Sequence, residues 1–154
     1  MTRQDLVARL GAAMQSYQRA NDAFDDVVAA KLGVNRTDLR CLDWLADGSM
    51  TVGALSKAIG ISSAATTTMV DRLEKHGYVE RLPDAEDRRR TRVVATDRLG
   101  ERAARIYGPL VAAGNEITTP LDVATLEAIC EFIERSREVT DRHRGILSTL
   151  DLDG

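Results

Sequence analysis

A chain of 154 residues, 44% hydrophobic and 29% charged, is long enough for one domain with a real core and too apolar for a disordered tail. A formal net charge of -3 with a pI near 5.4 argues against indiscriminate polyanion binding over the whole surface. Two distant cysteines without metal-type spacing, two histidines and the lack of a long apolar run exclude a disulfide framework, a zinc cluster and a membrane span, so a cytosolic protein without metal or cofactor is expected.

From Thr2 to about Lys31, apolar residues recur at helical spacing (Leu6, Leu10, Met14, Tyr17, Phe24, Val27, Val28) and predict one long amphipathic helix. Gly33 ends it, and Asn35 with Asp38 three residues on starts a second helix that Gly48 closes. The apolar positions Leu39, Cys41, Leu42, Trp44, Leu45 and Ala46 cover more than half of that helix, so it is expected to pack on more than one side.

The stretch TVGALSKAIGISSAATTTMVDRLEKHGYVE holds two short capped helices with almost nothing between them. Thr51 caps the first, whose Val52, Leu55 and Ile59 face inward; Gly60 and Ile61 make a tight turn; Ser62 or Ser63 caps the second, which ends at Gly77. This is helix-turn-helix spacing. On the second helix Thr66, Met69, Val70 and Leu73 form the buried face. The opposite side carries Ala64, Thr67 and Thr68, flanked by Ser63 and Arg72, small groups that let a helix N-terminus approach a base edge or a phosphate.

YVERLP and TRVVAT have β composition on either side of a polar loop and predict a hairpin. At or just after its tip arginine fills four of five positions: Arg88, Arg89, Arg90 and Arg92. A charge run alone reads as a solvated loop. Directly after a helix-turn-helix it reads as a wing, whose guanidinium groups suit the negative potential of a narrow minor groove. Asp87 beside them fits a loop brace rather than a DNA contact. The charge is segregated accordingly: residues 35–105 hold 13 Lys/Arg against 11 Asp/Glu, whereas the rest hold 8 against 13.

Two helical segments follow, about 97–113, with Gly108-Pro109 expected to kink or interrupt it, and about 122–150, with Leu126, Ile129, Cys130 and Ile133 on one face. Long terminal helices at both ends lack partners within one subunit and suggest an intertwined homodimer. The expected organisation is an N-terminal dimerisation helix (1–34), a DNA-binding lobe (35–100) and C-terminal dimerisation helices (101–154).

Through LSKAIGIS, MVDRLEKHGYVER and the Asp-x-Arg of residues 87–89, in this order and spacing, the sequence resembles the MarR (multiple antibiotic resistance regulator) family of winged-helix transcription factors. The resemblance implies a mainly α fold with a small β-hairpin wing, and a homodimer on a pseudo-palindromic duplex operator, usually acting as a repressor relieved by a ligand or by oxidation. The helix face and the arginine run make Ser62, Ser63, Ala64, Thr67, Thr68, Arg72, Arg88, Arg89 and Arg90 the DNA-binding candidates, and the resemblance implies recognition-helix contacts for Thr67 and Thr68, the wing brace for Asp87 and the minor-groove arginine for Arg89. If the family pattern holds, a pocket for a small aromatic or phenolic effector lies near Tyr17, Phe24, Cys41, Trp44, Leu45 and Tyr107, residues that otherwise read as core. Two departures stand out. The family's Leu-Thr-x-x-Gly after the wing is Ala95-Thr96-Asp97-Arg98-Leu99-Gly100 here, one residue longer, and Thr68 replaces a frequent recognition-helix arginine.

No nucleophile–base pair, phosphate-binding glycine loop or metal cluster is legible, so an enzyme is not expected. The competing reading is a winged-helix protein-interaction module, which leaves the hydroxyl-rich helix face and the arginines without a task.

Overall fold

Helix starts fall where short polar residues meet apolar periodicity, as local chemistry requires. The structure, a computed structural model, describes residues 1–84 and 90–151. Among them the order is α1 (Arg3–Leu32), α2 (Arg36–Ala46), β1 (Met50–Thr51), α3 (Val52–Ile59), α4 (Ser63–Lys75), β2 (Val79–Pro83), β3 (Thr91–Ala95), α5 (Asp97–Thr118) and α6 (Val123–Leu147). Thr2 and Asn35 form capping boxes with Asp5 and Asp38, and Thr51, Ser62 and Asp122 cap α3, α4 and α6. Each such cap satisfies a backbone N–H that the helix itself leaves without a partner, and stabilises by about 1 kcal/mol. Gly33 and Gly60 end α1 and α3 in the left-handed region, at φ 71° and 79°, where a side chain would be strained.

The chain divides into two units, Met1–Tyr107 and Gly108–Gly154. In the first, the core joins Val28 and Leu32 of α1, Leu39, Cys41, Leu42 and Leu45 of α2, Leu55 and Ile59 of α3, Met69, Val70 and Leu73 of α4, Tyr78 just before β2, and Val79 and Val93 of the sheet. The sheet is antiparallel in the order β1-β3-β2; β2 and β3 pair from Val79↔Ala95 to Pro83↔Thr91. The fold is thus mainly α with a small three-stranded wing sheet, as expected. β1 was not anticipated, because two residues carry no periodicity; it pairs Met50 with Val93 and Thr51 with Arg92.

The second unit contains the end of α5 and all of α6, where no residue is buried. Of the kink or interruption expected at Gly108-Pro109, the interruption does not occur. α5 continues to Thr118 with Pro109 inside it, since a proline removes a single N–H donor and a helix of 22 residues retains the rest of its ladder. Cys130, expected to pack, is exposed in the single chain. Leu6, Leu10 and Met14 of α1, Leu110 and Val111 of α5 and Ile133 of α6 are likewise exposed. Among the described residues no helix is long and apolar enough to cross a membrane.

Candidate nucleic-acid interface

The helix-turn-helix is held by backbone and side-chain bonds that fix its angle. At the end of α3 the N–H groups of Gly60 and Ile61 donate to Ser56 O, at 2.9 and 3.2 Å. The Ser56 hydroxyl donates to Ile61 O at 2.6 Å, and Arg40 reaches Ile59 O at 3.1 Å. α4 then begins on Ser62, whose hydroxyl accepts from Ala65 N at 3.2 Å. Its inner face is Thr66, Met69, Val70 and Leu73, all buried, which are the residues that periodicity selects. The Thr66 hydroxyl is satisfied within the helix, donating to Ser62 O at 2.9 Å.

The outer face brings Ser63, Ala64, Thr67 and Thr68 together, exposed, in the first two turns of α4. Thr67 Oγ1 donates to Ser63 O at 3.0 Å and Thr68 Oγ1 to Ala64 O at 3.2 Å, so both side chains lie against their own helix. Arg72 does not simply project from this face. Its Nε and Nη2 donate to the two carboxylate oxygens of Asp38 at 2.8 and 2.5 Å, and the Asp38 side chain is 1% exposed. This bidentate bond holds the guanidinium more firmly protonated and ties α4 to the start of α2.

The wing is braced at its base. Arg92 of β3 donates through Nε to Ser49 Oγ at 2.7 Å, through Nη1 to Asp84 Oδ2 at 3.2 Å, and through Nη2 to Ser49 O. Arg81 of β2 pairs with Asp71 at 2.7 Å and with Glu74, anchoring the hairpin to α4. Arg90 is exposed, and its carbonyl accepts from Asp84 N at 2.9 Å. With Thr91 it lines a cavity of about 350 Å³ beside Thr51, Val52 and Gly53 at the N-terminus of α3. Asp87, Arg88 and Arg89 lie outside the described residues. Sequence reading missed the bracing by Asp38, Arg81 and Arg92: Asp38 announces itself only as a cap, and Arg92 is indistinguishable from its arginine neighbours until the strand register is known.

The six residues expected around an effector separate. Cys41 and Leu45 are core, at 0% and 3% exposure, whereas Tyr17 and Trp44 are 69% and 45% exposed. Phe24 and Tyr107 meet, with ring centroids 5.7 Å apart and tilted by 57°. Burial, then the charges of Asp43 and Asp25, push the Tyr107 phenol above its ordinary range. Asp43 is itself raised by burial and by Asp25. Burial and the nearby Asp38 push the Cys41 thiol up to about 12.

This architecture has close counterparts. The sequence model of the MarR family matches residues 34–91. The HTH-type transcriptional regulator YcgE of Bacillus subtilis, described as uncharacterized, is 34% identical over 119 residues, which is 77% of either chain. A MarR family protein from Bacillus stearothermophilus superposes with a TM-score of 0.62 at 19% identity, covering 94% of this chain and 99% of that one. The apo form of wild-type MarR from E. coli gives 0.56 at 21% identity, covering 82% and 96%. With a winged helix-turn-helix core and a relative aligned along most of both sequences, the chain belongs to the MarR family.

Proposed function

We propose that the protein is a homodimeric, sequence-specific DNA-binding transcriptional regulator, a repressor released by a small molecule. The observation that carries this reading is the exposed face of Ser63, Ala64, Thr67 and Thr68 at the front of α4, presented on a frame held by the Asp38–Arg72 bond. Short side chains allow the helix N-terminus to enter the major groove, and Ser62 remains able to meet a phosphate while capping. Arg90, beside the α3 N-terminus, is suited to a backbone phosphate; Arg89 is assigned to the neighbouring minor groove, Arg88 to a further DNA contact and Asp87 to the wing brace.

Dimerisation is supported by the apolar side chains that α1, α5 and α6 leave exposed. In such a dimer the two recognition helices occupy successive major grooves, roughly 10 bp between half-site centres. The effector is assigned to the vicinity of the Phe24–Tyr107 pair. Asp25 and Asp43 oppose a ligand anion there, so among phenolic compounds the neutral form is favoured. A ligand of this kind acts by binding better to a lobe separation that mismatches the operator.

The test is fluorescence-anisotropy titration of a duplex from immediately upstream of the protein's own gene, against an unrelated duplex, at two salt concentrations. Selective binding that weakens with salt, by a logarithmic slope of about 0.9 for each phosphate neutralised, is the expected result. A folded dimer without preference for any duplex would favour the protein-interaction module instead.

A further inference from the structure

The buried hydroxyl of Tyr78 belongs to neither the DNA face nor the effector region. Tyr78 immediately precedes β2, two residues after His76, the C-cap of α4, and is 1% exposed. Its hydroxyl donates to the carbonyl of Leu32, the last residue of α1, at 2.8 Å. The same oxygen accepts from Arg102 Nη1 of α5 at 2.6 Å. The ring stacks on His76 with centroids 5.6 Å apart and planes 6° from parallel, and the Arg102 and Arg98 guanidinium carbons lie 5.5 and 6.0 Å from its centre. Thr96 adds two bonds: its N–H to Tyr78 O at 3.0 Å and its hydroxyl to Gly77 O at 2.7 Å.

The direction of this relay is fixed by chemistry. A guanidinium only donates, so the tyrosine proton must go to Leu32, one of the terminal carbonyls a helix cannot satisfy by itself. One oxygen therefore ties the end of α4 and the root of the wing to α1 and α5 at once. Phenylalanine would fill the same volume but leave the Leu32 carbonyl and Arg102 without that partner. Packing would survive and the angular reference would be lost.

We infer that Tyr78 and Arg102 are positioning residues that set the angle of α4 and the wing against α1 and α5, and so the half-site separation the dimer accepts. The inference rests on the dimeric DNA-binding reading above. It is tested with the full-length protein and duplexes that the wild type recovers from a random library, rebuilt with half-sites one or two base pairs closer or farther apart. Tyr78→Phe and Arg102→Gln are each expected to bind, while the preference for the original spacing over the altered ones falls about three- to tenfold, the worth of one hydrogen bond. The double variant should lose little more than either single one, because both act through the same oxygen. Equal weakening at every spacing would reduce the pair to a stability role and overturn the inference, as would an unchanged spacing profile. If Tyr78→Phe fails to fold, Arg102→Gln, on the exposed side of the relay, decides the matter alone. A wild type that selects no duplex overturns the proposed function itself, a result distinct from any spacing profile, and the inference falls with it.

Discussion

Arg72 and Asp38 are unequal partners: the guanidinium side chain is 41% exposed and the carboxylate 1%. Replacing Arg72 by Met strands a buried charge, and a loss of about 3–5 kcal/mol in urea unfolding is expected. Asp38→Asn should cost less, because the stranded arginine can turn to water; an equal cost would mean that the buried carboxylate is satisfied by other groups. Cys41 provides a second check. With its thiol pushed up to about 12 by burial and Asp38, it is almost wholly protonated at neutral pH and shielded from reagents. In a Cys130→Ser background, a disulfide reagent should therefore label nothing until denaturant is added. Asp43 titrates in the opposite sense to a stabilising carboxylate. Burial and Asp25 raise its folded pKa, so the folded state binds the proton more tightly and loses stability as pH rises from the unfolded value through the folded one. Asp43→Asn should melt at or above the wild-type temperature at pH 7, with the advantage disappearing in acid below the unfolded pKa.

At the scale of elements, α4 and the wing separate packing from contact. Leu73 has no exposure, and Leu73→Ala should cost about 2–5 kcal/mol through the cavity it leaves. Arg89→Ala, at the proposed minor-groove arginine, should weaken operator binding with little change in unfolding. Equal destabilisation by both would contradict their assigned roles. Elements were legible wherever a local cause sufficed: caps at Asn35, Thr51 and Ser62, glycine stops at Gly33 and Gly60, and the inner face of α4 all follow from neighbours in sequence. The departure after β3 also resolves locally. α5 begins at Asp97, with only Thr96 between it and the strand, and the Thr96 hydroxyl accepts from Leu99 N at 3.4 Å. What escaped reading was non-local. The Asp38–Arg72 bond spans 34 residues and the Arg92–Ser49 bond 43, separations at which no periodicity operates, and β1 exists only because β3 lies beside it.

For the whole molecule, the exposed apolar side chains of α1 and α6 are the surface that the proposed homodimer has to cover. Ile133 is 58% exposed and Val139 50%; Ile133→Glu combined with Val139→Glu should convert the dimer to a folded monomer in sedimentation experiments, with a corresponding loss of operator affinity. A dimer that survives both charges would place the contact elsewhere. In the proposed dimer, whatever α4 reads, it reads twice. Thr67 and Thr68 give their hydroxyl protons to carbonyls one turn back, which leaves their exposed side chains with acceptor lone pairs and a methyl group each. With their protons held there, the two threonines match the amino groups of adenine and cytosine and the thymine methyl, and do not donate to guanine N7 and O6, which are acceptors. The operator vocabulary implied is one in which guanine is tolerated rather than recognised opposite these threonines. Replacing those guanines by 7-deazaguanine should therefore leave affinity unchanged, whereas removing thymine methyls in the same half-sites should lower it.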